Sequence, residues 1–286
     1  MKLGIIGGSG LYAMPALADA VWRRVETPWG APSDALLEGS IGGLPVAFLP
    51  RHGRGHRLLP AEVPYRANIA ALKMAGCGMV LALSACGSFR EAMPPGCLVI
   101  IDQYVDRTHG RAKSFFGEGI VGHVSAAEPV CRDLADRVEA AARAAGVRHV
   151  RGGTYLAMEG PAFSSAAESR LHRAQGLDVV GMTGQPEANL AREAELAFAG
   201  VGMVTDFDAW SEAHVTTAEV MAVMAANVAA AQALVVALAD VLTCDPLPLP
   251  SVEGWERALD GAIVTAREQW PAATVARLRS VAGRVM

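Results

Sequence analysis

Short apolar runs alternate with helix-like segments along most of this 286-residue chain, and this alternation limits the possible folds more than any other feature. The runs have the length of buried strands and cover residues 2–6, 44–49, 78–83, 97–101, 152–157, 179–182 and 201–204. Helical apolar spacing occurs at residues 64–75, 127–145 and 186–199. The pattern predicts a single-domain α/β sandwich with a twisted, largely parallel or mixed central sheet flanked by helices.

Small or polar residues follow six of the predicted strands, which end at Ile6, Leu49, Leu83, Ala157, Met182 and Val204. Ligands of such folds gather at the carboxyl ends of the strands. We therefore expect the six turns to share one cleft.

Two carboxylates, Asp206 and Asp208, follow the last predicted strand in the sequence TDFDAW. Side chains alternate along a strand, so residues two apart can point the same way. A carboxylate pair beside Phe207 and Trp210 is costly unless the protein uses it. An Asp that caps the following helix would explain Asp208 alone, so we favour a functional pair.

The sequence RHGRGHR, residues 51–57, concentrates five basic side chains in seven positions. His52 and His56 have the i,i+4 spacing of a metal site, but the glycines oppose a helix and the arginines would repel a metal ion. Arginine offers a planar fork of donors, so the loop predicts an oxyanion site, above all for phosphate. A solvated basic loop is the alternative. Residues 84–88, SACGS, predict a second donor-rich turn at a strand end.

The first glycine-rich turn permits a different function. Residues 8–13 satisfy G-x-G-x-x-A, the dinucleotide fingerprint of dehydrogenases. Pro15 interrupts the helix that should follow, and no clear second strand ends in an acidic residue at the required distance. We therefore consider nicotinamide binding the weaker interpretation.

Composition excludes several classes of protein. A net charge of −4 argues against a nucleic-acid surface. Five cysteines without a CxxC pair indicate reduced thiols in a cytoplasmic protein, with neither a disulfide framework nor a zinc site. Residues 220–239 could span a bilayer by length, but Asn227 and Gln232 favour a buried helix, for which a subunit interface is one location. We expect no membrane association.

The remaining segments complete the predicted organisation. Residues 102–122 predict a long functional loop, and Ser164 or Ser165 with Glu168 predicts a helix N-terminus. Three prolines mark residues 244–251 as a linker. Residues 1–243 are then the main domain, and residues 244–286 are a linker and a C-terminal helical segment packed on the same domain.

Eight motifs, taken together and in order, resemble those of the trimeric purine nucleoside phosphorylase family, and more closely its 5′-methylthioadenosine branch. They are GIIGGSGL, RHGRGHRLLP, VPYRANIAALK, SACGS, IDQYVDRT, MEGPAFSSAAES, GMTGQPEANLARE and TDFDAW. The resemblance extends to about the end of the long apolar helix, and the tail after Cys244 matches poorly.

The resemblance implies phosphorolysis of 5′-methylthioadenosine to adenine and 5-methylthioribose 1-phosphate. The alternative is a purine nucleoside or methylthioinosine phosphorylase that acts on 6-oxopurines. Inorganic phosphate would be the co-substrate, with no metal or organic cofactor, and the partners would be the nucleoside, phosphate and two further copies of the chain. A nucleoside-binding module without catalysis is a third possibility, which the full set of phosphate-ligand types opposes.

The resemblance also implies site residues. Phosphate would be bound by Ser9, Arg51, His52, Ser84, Ala85 through its backbone, and Thr183. The nucleoside would contact Phe163, Ser164, Met182, Asp206, Asp208, His56, Thr217, Val220 and His123, the last from a neighbouring subunit. Asp206 would protonate the base at N7, and Asp208 would accept from the 6-amino group, because an ionised Asp can only accept hydrogen bonds. Thr217 stands where the branch has Val.

Overall fold

The computed structural model describes residues 1–8, 10–211 and 217–286, with the side chains of residues 217–221 left aside. The described part forms one mixed sheet of eleven strands with helices on both faces. The predicted α/β class is confirmed.

The strands are β1 Lys2–Gly7, β2 Ala18–Arg23, β3 Leu36–Ile41, β4 Leu44–Pro50, β5 Cys77–Ser88, β6 Leu98–Ile101, β7 Gln103–Asp106, β8 His149–Arg151, β9 Thr154–Ala157, β10 Val179–Gly181 and β11 Ala197–Phe207. The α-helices are α1 Tyr65–Met74, α2 Arg132–Ala144, α3 Ala166–Ala174, α4 Glu187–Glu193, α5 Thr217–Cys244 and α6 Ala272–Ala282. Short 3₁₀ turns occupy Pro60–Glu62, Trp255–Arg257 and Arg267–Gln269.

Two apolar layers cover the sheet. On one face α2 and α5 pack together and bury Leu134, Val138, Leu234 and Leu238 against the strands. On the other face α1 contacts both α4 and α6. Each fully buried aliphatic side chain contributes about 1.5–3 kcal/mol of transfer free energy, so both layers stabilise the sheet substantially.

The longest strand, β5, is the centre of the sheet. It pairs in parallel with β1 on one edge and with β11 on the other. The β1 pairing stops at Ala82, and β10 joins the same edge in the antiparallel direction only at Gly87 and Ser88. Residues 83–86 therefore lie between two strands that come from opposite ends of the sheet.

Residues 222–244 of helix α5 are long and apolar enough to cross a membrane by length and composition, with a mean hydropathy of 2.0 in an 18-residue stretch that is 33% buried inside the protein. Two of its polar side chains, however, donate hydrogen bonds to other segments of the domain. Asn227 donates to the Val204 carbonyl at 2.9 Å, and Gln232 donates to the Gly10 carbonyl at 2.6 Å. These bonds and the apolar layer that it shares with α2 make α5 a packing helix of this domain.

Several predicted elements were wrong in extent. Residues 84–88 continue β5 and form no turn, because β11 pairs with them throughout. Helix α4 ends at Glu193, and Ala197 already belongs to β11. The predicted loop 102–122 contains β7, and β2 and β3 were missed. Strand β2 is exposed along its whole length at the sheet edge, so it lacks the burial pattern by which strands are recognised.

The segment after α5 returns to the main domain. Leu278 and Val281 of α6 join the buried layer that includes α1. Arg284 forms ion pairs with Glu195 and Asp260, at 2.6 Å in each case. These contacts attach the C-terminal helix to the face of the sheet that carries α1 and α4.

Candidate active site

The opening in the edge of β5 forms the floor of the site. Ser84 is buried, and the next residue, Ala85, is exposed in the middle of an otherwise buried strand. The Leu83 carbonyl faces this edge, because it accepts a hydrogen bond from Arg51 at 2.8 Å. Residues two apart on a strand direct their backbone groups to the same edge, so the Ala85 amide also faces the opening.

Two hydroxyl groups line this opening. Thr183 follows β10, and its Oγ1 lies 2.8 Å from the Ser84 Oγ. Each hydroxyl can donate one hydrogen bond and accept others, so the pair can turn its protons towards a bound anion. The structure thus brings together three of the predicted phosphate ligands, Ser84, Ala85 and Thr183.

Arg51 lies beside these groups and is almost fully enclosed, with a side chain 2% exposed. Its Nε and Nη2 donate to the Glu187 Oε1 and Oε2 at 2.6 and 3.0 Å, and its Nη1 donates to the Leu83 carbonyl. Burial lowers the pKa of Arg51, but the charge and hydrogen bonds of Glu187 outweigh it and raise the pKa overall. Arg51 is therefore a fixed cation in a bidentate pair, an arrangement that the sequence analysis did not anticipate.

His52 is part-buried next to Arg51. Its Nδ1 donates to the Leu58 carbonyl at 2.9 Å, and its ring stacks on His56 with 4.4 Å between the centroids. Burial, followed by the Arg51 charge, lowers the pKa of His52 to about 4. His52 is accordingly neutral at pH 7, and the exposed His56 forms the outer side of the stack.

The other arginines of the basic loop do not join Arg51. Arg54 makes a bidentate pair with Asp34, at 2.8 and 3.1 Å, and stacks on Trp22. Arg57 donates to the Ser33 carbonyl at 2.8 Å. Both line an open groove of about 480 Å³ that does not include Arg51. The prediction that the whole loop forms one oxyanion site is corrected: of its three arginines, only Arg51 bonds to β5.

The carboxylate pair lies at the end of β11, across a β-bulge. Val204 pairs with Cys86 and Asp206 pairs with Gly87, so Thr205 is the inserted residue. The Thr205 hydroxyl lies 2.6 Å from the Asp206 Oδ1. Burial and the nearby Asp208 charge raise the pKa of Asp206, and the Thr205 hydrogen bond opposes this rise.

Asp208 is 8% exposed. Among the described residues its Oδ2 is buried without a hydrogen-bond partner. Trp210, in contrast, is satisfied, because its indole N–H donates to the Ser88 carbonyl at 2.7 Å. An unpaired acceptor in this position costs free energy unless a ligand supplies a donor.

Residues 158–165 form the outer wall. Met182 packs against Gly160, where a Cβ would lie 2.5 Å from the Met182 Sδ and where φ is +72°, a combination that favours glycine. The Ser164 hydroxyl lies 3.8 Å from the Met158 Sδ, and Phe163 is 86% exposed. The helix that follows begins with the predicted capping box of Ser165 and Glu168, which is confirmed.

The remaining predicted residues divide into two groups. His123 is exposed, and its backbone N–H donates to the Ala262 carbonyl at 2.9 Å. Ser9 and the side chains of Thr217 and Val220 lie outside the described residues.

Two polar residues of this region were missed from the sequence. Glu187 holds Arg51, and the buried Arg111 donates to the carbonyls of Gln185 and Glu159 at 2.7 and 3.0 Å. Arg111 thereby ties the outer wall to the turn after Thr183. An acidic residue in a first helical turn ordinarily indicates a dipole contact, and Arg111 sits in an irregular segment, so neither had a distinctive signal.

The glycine turn after β1 does not support the dinucleotide interpretation. Among the described residues, the chain after β1 makes turns and then enters β2 without a helix. A dinucleotide fingerprint requires a helix N-terminus at this point to face the pyrophosphate. Among the described residues, no group of three His, Cys, Asp or Glu side chains is placed to hold a metal ion.

Comparisons with known proteins point to one family. The chain is 52% identical to the S-methyl-5′-thioadenosine phosphorylase of Cereibacter sphaeroides, over 99% of this chain and 98% of that protein. It superposes on the methylthioadenosine phosphorylase from an Antarctic soil metagenomic library with a TM-score of 0.93 and 42% identity, covering 98% of each chain.

A methylthioadenosine phosphorylase of Schistosoma mansoni in complex with adenine is also similar, with a TM-score of 0.86 and 36% identity, covering 92% of this chain and 99% of that one. The sequence model of the phosphorylase superfamily matches residues 2–240. These findings confirm the family resemblance of the motifs, and the chain belongs to the phosphorylase superfamily.

Proposed function

We propose that the protein catalyses the phosphorolysis of 5′-methylthioadenosine to adenine and 5-methylthioribose 1-phosphate. One observation carries the proposal: the anion-binding opening of β5 and the carboxylate pair of β11 adjoin on two paired strands. Gly202 lies opposite Ser84 and Asp206 lies opposite Gly87, so the two sets of groups are three positions apart along β5, about 10 Å. A small nucleoside can span this separation.

The proposed reaction breaks the glycosidic bond and forms a bond between a phosphate oxygen and C1′. The sugar gains positive charge and the leaving base gains negative charge in the transition state. Ser84, Thr183, Arg51 and the Ala85 amide hold the phosphate, whose charge also stabilises the cationic sugar. Asp206, with its raised pKa, delivers a proton to N7 of the leaving adenine.

The base preference follows from Asp208. Its buried Oδ2, which has no hydrogen-bond partner among the described residues, is free to accept from a 6-amino group. A 6-keto oxygen is itself an acceptor and would be repelled by the ionised carboxylate. We therefore infer a preference for adenine nucleosides over 6-oxopurine nucleosides.

The experiment that tests this function compares four substrates, methylthioadenosine, methylthioinosine, adenosine and inosine, each with and without phosphate. We expect base release from methylthioadenosine to exceed that from methylthioinosine and to require phosphate. Equal rates in phosphate-free buffer would identify a hydrolase. Faster release from the 6-oxopurines would contradict the role of Asp208.

We further infer a homotrimer in the cytoplasm, with phosphate as co-substrate and no metal or organic cofactor. The family resemblance supports the trimer, in which His123 would complete a neighbouring site. His123 and Phe163 are exposed in the single chain. All five cysteines are free thiols, in keeping with a reducing compartment.

Light scattering should give three times the chain mass, and a fully active monomer would contradict both the assembly and the role of His123.

A further inference from the structure

The buried ion pair of Arg51 and Glu187 contains a carboxylate that has no part in the proposed reaction. Glu187 is 0% exposed and lies in the first turn of α4, four residues after Thr183. An arginine side chain has five N–H donors. Within the part of the chain that the structure describes, three of them are engaged by Glu187 and the Leu83 carbonyl, which leaves two for a ligand.

The charges around the β5 opening nearly cancel. Arg51 is paired with Glu187, and His52 is neutral above its lowered pKa of about 4. Ser84, Thr183 and the Ala85 amide carry no formal charge. A phosphate dianion would thus be held by several hydrogen-bond donors and by a cation that a carboxylate already compensates.

We propose that Glu187 is a positioning residue of the phosphate site, which aligns the Arg51 guanidinium and offsets its charge so that phosphate stays reactive. This inference rests on the proposed function. It assigns a role in the reaction to a carboxylate that never touches the substrate.

The physical reason lies in the direction of charge flow. Phosphate loses negative charge as its oxygen attacks C1′, so a full, uncompensated cation stabilises bound phosphate more than the transition state. Stabilisation of the ground state alone tightens binding and slows turnover. Glu187 reduces this excess stabilisation of bound phosphate and fixes the Arg51 guanidinium in one orientation.

The test is Glu187→Gln, with phosphate affinity measured by calorimetry without nucleoside and turnover measured with methylthioadenosine. The variant leaves Arg51 uncompensated. We expect roughly tenfold tighter phosphate binding, the scale of one partly screened charge interaction, and a kcat at least about tenfold lower. If Glu187 were merely structural, its loss would weaken phosphate binding. Tighter phosphate binding together with a lower kcat therefore distinguishes charge compensation from a structural role.

Glu193→Gln is the matched control. Glu193 is also buried and ends the same helix, but its carboxylate accepts from the Ser114 hydroxyl at 2.8 Å and the Phe115 N–H at 2.6 Å, away from Arg51. We expect its phosphate affinity to equal that of the wild type. Glu187→Asp keeps the charge and should not tighten phosphate binding. If Glu187→Asp tightens it as much as Glu187→Gln does, charge compensation is wrong.

Glu187→Gln leaves a buried cation and could prevent folding. In that case Arg51→Gln is compared with Arg51→Gln combined with Glu187→Gln, in which neither charge remains. The second change should tighten phosphate binding in this background too, and weaker or unchanged binding overturns the proposal. Unchanged phosphate affinity in Glu187→Gln, with wild-type cleavage intact, overturns this inference alone. A wild type without phosphate-dependent cleavage overturns the proposed function and this inference together.

Discussion

The candidate site has a phosphate half around Arg51 and Ser84 and a nucleoside half around Asp208 and Phe163. The polar contacts of the phosphate half are already formed within the described part of the chain, whereas those of the nucleoside half are not. In the phosphate half, the hydrogen bonds of Arg51 and the contact of Ser84 with Thr183 are formed before any ligand arrives. In the nucleoside half, Asp208 has an unpaired buried oxygen within the described residues, and Phe163 is 86% exposed.

This difference indicates a division of roles. The polar groups proposed to bind phosphate are fixed by strands and by a buried ion pair, where positional precision is greatest. The groups proposed to bind the nucleoside lie in residues 158–165 and at the end of β11, where a bound ligand would supply the missing contacts. Variants in the first half should alter phosphate binding, and variants in the second should alter rate or base preference.

The largest effect is expected for Asp206→Asn, which keeps the shape of the side chain and removes its transferable proton. We expect kcat to fall roughly 10²–10⁴-fold on every purine, the usual contribution of a positioned general acid. Phosphate affinity should stay near the wild-type value.

The pH profile gives a second measurement on Asp206. Its pKa is raised, so the protonated form persists to higher pH than for an ordinary carboxyl, and the rate should fall as pH rises through that pKa. This alkaline limb should be missing in Asp206→Asn. Near-normal turnover of the variant would show that the acid is elsewhere.

Arg51→Ala comes next, because it removes two free donors and leaves Glu187 unpaired. A hydrogen bond to a charged group contributes about 1.5–3 kcal/mol, so the loss of even one of these donors should raise the phosphate KM about 10- to 100-fold, with lower turnover. Arg51→Lys keeps the charge without the planar fork and should give a smaller rise. A change in nucleoside KM alone would contradict the division between the two halves.

The sequence predicts the two halves unequally, and the reason is physical. The carboxylates of β11 and the capping box at Ser165 have local signals, because strand alternation and helix-end chemistry depend on neighbouring residues. The β5 opening depends on where β1 stops and β10 begins, which only the sheet decides. Small residues in SACGS resemble a turn, although pairing with β11 makes them strand. The partners of Arg51, Arg54 and Arg57 also come from distant segments of the chain. The sequence shows only that the three arginines are close along the chain, so it predicts one shared site for them.

Asp208→Asn should produce a smaller change, of preference more than of rate. The amide can donate to a 6-keto oxygen, so the ratio of methylthioinosine to methylthioadenosine cleavage should rise about 10-fold or more, as one hydrogen bond of 1–2 kcal/mol allows. Asp206→Asn should leave this ratio unchanged. Equal losses on both bases in Asp208→Asn would mean that Asp208 supports Asp206 and does not read the base.

The smallest effect concerns stability and the other end of α4. Glu193 receives hydrogen bonds from Ser114 and Phe115, so it holds these two residues to the end of α4, as Glu187 holds Arg51 to its start. Burial raises the pKa of Glu193 to about 7 from 4.5, although both hydrogen bonds oppose the rise. The folded state therefore holds a proton that the unfolded state releases above pH 4.5.

Stability from this proton is complete below pH 4.5 and is lost as pH rises through 7. Relative to Glu193→Gln, which does not titrate, the wild type should lose up to about 3 kcal/mol of unfolding free energy between pH 4.5 and 8. Urea denaturation at pH 5, 6, 7 and 8 measures this difference. Ser114→Ala removes a donor that favours the charged carboxylate, so its loss over the same range should be larger. If the difference in unfolding free energy does not change with pH, Glu193 is ionised at every pH tested and burial does not raise its pKa.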